Sequence, residues 1–295
     1  MTRIKRLSTC FAFVVLATSA GCESRLPEED PARELRESIA PELGLAFQGD
    51  LKQGEEKNFV GVRSEHLLLS RRNDSRTYFI QDERWGVARS GGVFDGPDDE
   101  LIERSKEVAV RLEIDPAEIS KASVIQVMSN SASVDPVTGE VKTEIPGMGE
   151  RYGQLTRSVQ GVPVFSSRVL MALDKKGQIG FLELHWPIIS DTVIAEALKL
   201  QEQTHRGWKP PQLAEAQVES IEAGILHSPA IGFVMDIKPV IRVVYRPSSP
   251  DVGKKAVLYL DAQGRSVPIP RQFEKLELPE EKQRKRGHGG KEDAS

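Results

Sequence analysis

Cysteine is nearly missing from this chain: two in 295 residues, Cys10 and Cys22, both close to the N-terminus. A disulfide-framed fold is therefore excluded. Histidine is sparse too. The five, His66, His185, His205, His227 and His288, include no pair flanking a glutamate at H-E-x-x-H spacing, so no helix can present two imidazoles to one zinc ion. Ser166 and Ser167 lack the glycines of a G-x-S-x-G elbow, and no G-x-G-x-x-G or G-x-x-x-x-G-K stretch offers a phosphate cradle. Positive charge is not in excess. The formal net charge of −4 argues against nucleic acid as a partner. The metal, cofactor and catalytic-residue expectations are accordingly none.

What is present begins with the leader. Arg3, Lys5 and Arg6 precede an apolar run from Leu7 to Ala20 that is too short to span a bilayer comfortably. It ends in Ser19-Ala20-Gly21-Cys22, which looks like a lipoprotein cleavage box, with Ser19 where leucine is usual. On that reading Cys22 becomes the lipidated first residue of the mature chain, held at a bacterial cell envelope in the periplasm or on the outer face. The alternative is an ordinary signal peptide with an incidental cysteine. A lone thiol in an oxidising compartment is otherwise hard to rationalise, which favours lipidation.

Apolar residues make up 39% and charged residues 28%, ordinary values for a globular chain long enough for one large or two small domains. Residues 23–45, rich in Glu, Arg and Pro, read as a tether ending in a short helix. Strand-like runs then fill 46–94, the last read as an edge strand at 85–88. A helix is expected after Asp95, a capping candidate, with Pro97 in its first turn and Leu101, Ser105, Val108 and Leu112 on one face. Residues 122–128 read as a strand and 130–149 as a polar loop or loose hairpin.

The strongest pattern lies between Tyr152 and Ile189. Gln160-Gly161 and Asp174-Lys175-Lys176-Gly177 are turn signals, and they separate three runs of alternating apolar residues. The pattern predicts an antiparallel meander. Beyond Trp186-Pro187, helical spacing covers Asp191 to Arg206. A second helix is expected from Pro210-Pro211 through Val218 and Ile221 to Gly224. Strands are expected at 231–237, 240–245 and 256–260, and Leu260-Asp261-x-x-Gly264 echoes Leu173-Asp174-x-x-Gly177. The charged tail from Phe273 reads as disordered, its basic run Lys282, Arg284, Lys285 and Arg286 balanced by acids.

The stretch Gln160-Gly161-Val162-Pro163-Val164-Phe165 with its L-D-x-x-G turn resembles the prosegments of thermolysin-like and fungalysin-like metalloproteases, which carry a cystatin-like module followed by one of the PepSY type. Ser166 departs from that pattern, where glycine is frequent. Lys238 to Tyr245 with Leu258 to Gly264 looks like the end of the second module. The resemblance covers roughly residues 97–270 and implies an α+β fold: antiparallel sheets packed on helices, as modules in tandem at 95–189 and 190–272. No protease comes after it in the sequence.

The family resemblance thus implies a non-catalytic, membrane-anchored module that binds a protein or peptide, with a secreted or envelope protease among its partners as a target of inhibition or folding aid. A structural or assembly role in the envelope is the alternative. Sheet edges accept a partner strand with little sequence demand. The expected binding residues are Val164, Phe165 and Arg168 on the meander and Tyr259 and Asp261 on the second hairpin.

Overall fold

The computed structural model describes residues 31–48, 51–56, 59–72, 76–86, 89–129, 132–134, 138, 141–143, 147–213, 216–227, 236–248 and 255–268. Cys22, the leader and the tail from Phe273 lie outside them. In chain order, α1 (Pro31–Glu34), a π turn (Leu35–Ile39) and α2 (Ala40–Glu42) lead into β1 (Lys52–Glu56), β2 (Phe59–Arg63), β3 (Leu67–Arg72) and β4 (Arg76–Asp82). Then come α3 (Asp98–Arg111), a 3-10 turn (Pro116–Glu118) and β5 (Ile119–Ser129). A small separate hairpin, β6 (Ala132–Val134) and β7 (Val141–Thr143), precedes β8 (Gly147–Val159), β9 (Val162–Leu173) and β10 (Ile179–Trp186). The remainder is α4 (Asp191–His205), β11 (Ala216–His227), β12 (Ile237–Pro247), β13 (Ala256–Leu260) and β14 (Ser266–Val267).

The meander forms where the turn residues demand it. Gln160 and Gly161 both take positive φ, 51° and 79°, the two-residue hairpin geometry that matches strand twist. In the next turn, Gly177 has φ 75° and the Asp174 carboxylate accepts from the Lys176 and Gln178 amides, each at 2.8 Å.

The α+β expectation of tandem modules with antiparallel sheets packed on helices is overturned. The chain is mostly strand. Its main sheet has twelve strands and is mixed, and α3 and α4 are the only helices longer than five residues among those described. Two facts produce this. The segment expected as a second helix is β11, whose inner half packs against α4 and the sheet rather than winding. And β11 joins β9 in parallel, at Ile225 and Val164, so that the chain beyond residue 190 extends the same sheet.

The sheet forks at β9. On one side lie β8 and then β5. On the other, β10 pairs with residues 168–173 of β9 and leads outward through β4, β3, β2 and β1, while β11 meets β9 at Val164 and leads through β12, β13 and β14. Two wings therefore hang from one strand.

Each wing has its own apolar core. In the first, Leu101, Val108, Ala109 and Leu112 of the α3 region pack on Leu155, Val169, Met171, Leu182 and Leu184. Gly153 lets this helix come close, since a Cβ there would lie 2.2 Å from Ser105 Oγ. The stretch read as a tether is partly built into this core: Leu35, Ile39, Ala40 and Leu43 are buried, and Glu34 accepts both guanidinium arms of Arg71 at 2.8 and 2.7 Å. Pro97, not Asp95, is the residue that caps α3, with no side-chain bond to the helix. Trp85 forms a single isolated bridge to Gly92, and residues 87–88 of the expected edge strand lie outside the described set. In the second wing, Ile194, Ala197 and Leu200 of α4 cover Ile225, Ala223, Ile241 and Val243. Most of the strand expected at 231–237 lies outside the described residues; Ile237 opens β12.

Candidate functional site

The fork concentrates the buried polar groups. Between the last β10 pair, His185 with Arg168, and the β11 pair, Ile225 with Val164, residues 165–167 of β9 lie opposite neither strand; β8 also skips them, its register jumping from Thr156–Arg168 to Arg157–Val164. Backbone groups left without a ladder must find other partners. Ser166 supplies one. Its Oγ donates to the His227 carbonyl at 2.8 Å and accepts from the His227 amide at 3.0 Å, so a side chain closes the end of β11.

Beside it, Ser167 Oγ lies 3.2 Å from His227 Nε2, and the rings of His227 and His185 are 6.5 Å apart. His185 Nε2 is 3.4 Å from Glu183 Oε1, which in turn accepts from Arg168 Nε and Nη2 at 3.0 and 2.6 Å. Alternation along β10 thus sets Glu183 and His185 on one face, as its sequence implies. Burial holds both imidazoles neutral: His185 is pushed down, and His227, whose protonation the neighbouring His185 and the Arg157 and Arg72 guanidiniums also oppose, down to about 3. Burial raises Glu183, but His185 and Arg168 outweigh it and leave the carboxyl below its usual range.

A second buried knot lies at the same junction. Arg157 donates to Glu118 Oε2 at 2.8 Å and to the Pro187 carbonyl at 2.6 Å, with its guanidinium 5.1 Å from the Trp186 ring centre. Trp186 Nε1 donates to the same Glu118 oxygen at 2.8 Å. Burial lowers the Arg157 pKa, against the pull of Glu118.

A serine 3.2 Å from an imidazole has nucleophile–base spacing. The surroundings do not use it. Ser167 is 2% exposed and His227 1%, so no substrate reaches them, and His227 Nδ1 has no hydrogen-bond partner among the described residues. No carboxylate among those residues orients that ring to complete a triad. Nor do the described residues contain a group of three or more His, Cys, Asp and Glu placed to hold a metal. His205 closes α4 and is exposed, whereas His185 and His227 are buried. The polar seam closes the fork; it is not an open cleft.

The residues expected to bind are distributed between core and rim. Val164 is buried with Val159, Val162, Ile194, Ala197 and Ile225. Phe165 lies over Gly224, where a Cβ would come within 2.7 Å of its ring, and packs 5.7 Å from Tyr259 with the Arg242 guanidinium 4.5 Å from its centre. Arg168 is engaged with Glu183. Asp261 is a turn residue whose Oδ1 accepts from the Gln263 and Arg265 amides, both at 2.9 Å; those amide bonds, first that of Arg265, hold its carboxyl low. Phe165 and Tyr259 come together across ninety-four positions of sequence; Asp261 and Val164 do not join them.

The meander itself offers no free edge, because β9 is flanked on both sides. The open rim is β5, which among the described strands pairs only with β8. Its Ile125 and Val127 are 37% and 47% exposed. Ile125 stands opposite Tyr152, which makes edge-to-face contacts with Trp85 at 5.7 Å and Phe181 at 5.6 Å. The sequence pattern locates this strand but not its rank as an edge; the signal available is eleven residues with one charge, Lys121.

No family model and no curated protein matches the chain. Among solved structures, an uncharacterized protein from Eubacterium rectale aligns over 83% of each chain at 14% identity, with a TM-score of 0.42. That likeness is too low to carry fold or function across, and the prosegment resemblance rests on its motifs alone.

Proposed function

We propose that this chain is a non-catalytic, lipid-anchored binding protein of the cell envelope that takes an extended segment of a partner protein by strand addition to β5. The observation that supports this most is the state of that edge: eleven residues long, paired on one side only among the described strands, with two β-branched side chains in solvent. Main-chain bonds supply the affinity in such a mode, and Ile125 and Val127 supply the preference for an apolar strand. A secreted or envelope protease is the partner class suggested by the prosegment resemblance. Cys22 carries the lipid.

The test places a photo-crosslinking residue at Ser123 in the full chain, in its own cells. An adduct with another envelope protein from Ser123, and none from Glu196 on α4, is the expected result. Identical adducts from both positions, or none, would remove the β5 reading. Replacing Cys22 with serine should release the chain into the soluble fraction; retention at the membrane would remove the anchor.

A further inference from the structure

Among the described strands, the three rims of the sheet are not equally guarded. Strand β1 carries Lys52, Glu55 and Glu56 among five residues, and β14 is only two residues long. Charge and shortness are the usual means by which a sheet avoids adding strands. β5 is longer than either and less charged than β1. Over Ile119–Ser129 it holds no proline and no acid, and its single charge is Lys121.

The two exposed apolar residues of β5 are spaced in a way that suits one particular partner. Ile125 and Val127 lie on the same face with Gln126 between them: the ladder is irregular beyond Gln126, but the extra residue is on β8, which runs from Arg151 to Met148 while β5 runs from Gln126 to Met128, so β5 keeps its alternation. If a second β5 approaches antiparallel, with the two-fold axis at Gln126, then Ile125 stands opposite Val127 of the second copy, and Val127 opposite Ile125. Four exposed β-branched side chains then meet on one face, in the cross-strand pairing that stabilises sheets. The stripe continues inward through Tyr152 to Phe181 and Trp85 on each side. Shifting the axis by one residue keeps only one apolar pair, Ile125 with Ile125 or Val127 with Val127, and sets the other residue against Ser123 or Ser129, so half of the match is lost. Repulsion does not oppose the pairing. The two Lys121 residues would be about 34 Å apart at 3.4 Å per residue, several screening lengths in physiological salt.

We infer that the β5 edge is self-complementary and joins two copies of this chain into one continuous sheet across an axis at Gln126. This rests on the reading of β5 as the working edge and names its first occupant: a second copy holds the site until a partner segment displaces it. Strand pairing alone covers less than the roughly 800 Å² per partner of a standard interface. The dimer is accordingly a weak one, suited to exchange, and anchoring both copies in one membrane raises their effective concentration.

The experiment is in-cell disulfide trapping with the full chain. Antiparallel partners at an axis have Cα atoms about 4.5–5.5 Å apart, inside the range a disulfide can bridge. Gln126→Cys is therefore expected to give a covalent dimer on mild oxidation. Lys121→Cys on the same strand is expected to give none above the wild-type background, which controls for Cys22. Adding Val127→Lys to Gln126→Cys is expected to abolish the dimer. Equal trapping from positions 121 and 126, or trapping unaffected by Val127→Lys, overturns the inference. Adducts from Ser123 to another protein, with no dimer from Gln126→Cys, leave strand capture standing and remove self-pairing. A dimer with no other adduct does the reverse.

Discussion

Ser166 and His227 are bound to each other twice, the serine hydroxyl serving both the amide and the carbonyl of the histidine, although 61 positions separate them. A side chain here does the work of a strand: it completes the ladder where β10 and β11 both end. Ser166→Ala leaves two buried main-chain groups without partners. The expected loss is about 2 kcal/mol in urea-induced unfolding, larger than for Ser167→Ala, whose hydroxyl faces the imidazole. Equal losses from the two substitutions would contradict this division of roles.

The Arg157–Glu118 pair should respond differently to its two ends. Arg157→Ala strands Glu118 and the Pro187 carbonyl and removes the layer over Trp186; the expected cost is about 3 kcal/mol. Glu118→Gln keeps an acceptor for Trp186 Nε1 and is expected to cost less, though it leaves the guanidinium buried without its countercharge. Thermal unfolding of the two variants side by side gives the comparison.

Acid should loosen the fork before it reaches the carboxylates. His185 and His227 have pKa values lowered by burial, the second to about 3, so below pH 6.5 the unfolded chain takes up protons that the folded chain refuses. Stability then rises with pH across that window, and falls on acidification by up to about 1.4 kcal/mol per pH unit for each histidine. The Glu183 contribution is present above the ordinary carboxyl value of 4.5 and is lost only as pH drops below it. Urea midpoints between pH 7.5 and 5 therefore report the histidines, and His227→Gln should flatten the slope. A wild-type slope in the variant would exclude His227 as its source.

Gly224 has no room for a side chain. A Cβ would lie 2.5 Å from the Pro163 carbonyl oxygen, on the main chain of the neighbouring strand, and against the Phe165 ring. Gly224→Ala is expected to destabilise by about 2 kcal/mol or more. Phe165→Leu should not rescue it, because the oxygen remains. Rescue would mean that the ring, not the strand spacing, sets the limit.

Much of the local structure is legible in the sequence because short-range chemistry decides it. Gln160-Gly161 and Asp174 to Gly177 fix their turns with their own backbones and carboxylate, and the α3 face from Leu101 to Leu112 shows its period directly. β11 misleads for a physical reason. Val218, Ile221 and Gly224 have helical spacing, and the outer half of the strand is exposed, so no strict alternation betrays it; only pairing with β12 along its length and with Val164 makes it a strand. The same non-local contact decides the fold class. Of the candidate site, Glu183 and His185 are readable as neighbours from strand period alone. The meeting of Ser166 and Ser167 with His227 is not, since it depends on where β11 docks.

The fork also orders events during synthesis. Every strand from β1 to β10 is complete once Trp186 has emerged, whereas β11 comes only after α4. During that interval the 163–167 stretch of β9 presents bare amides and carbonyls on the side that β11 will later occupy. A chain that folds as it is made therefore passes through a half-built stage with a second open strand edge, one that the finished molecule no longer shows.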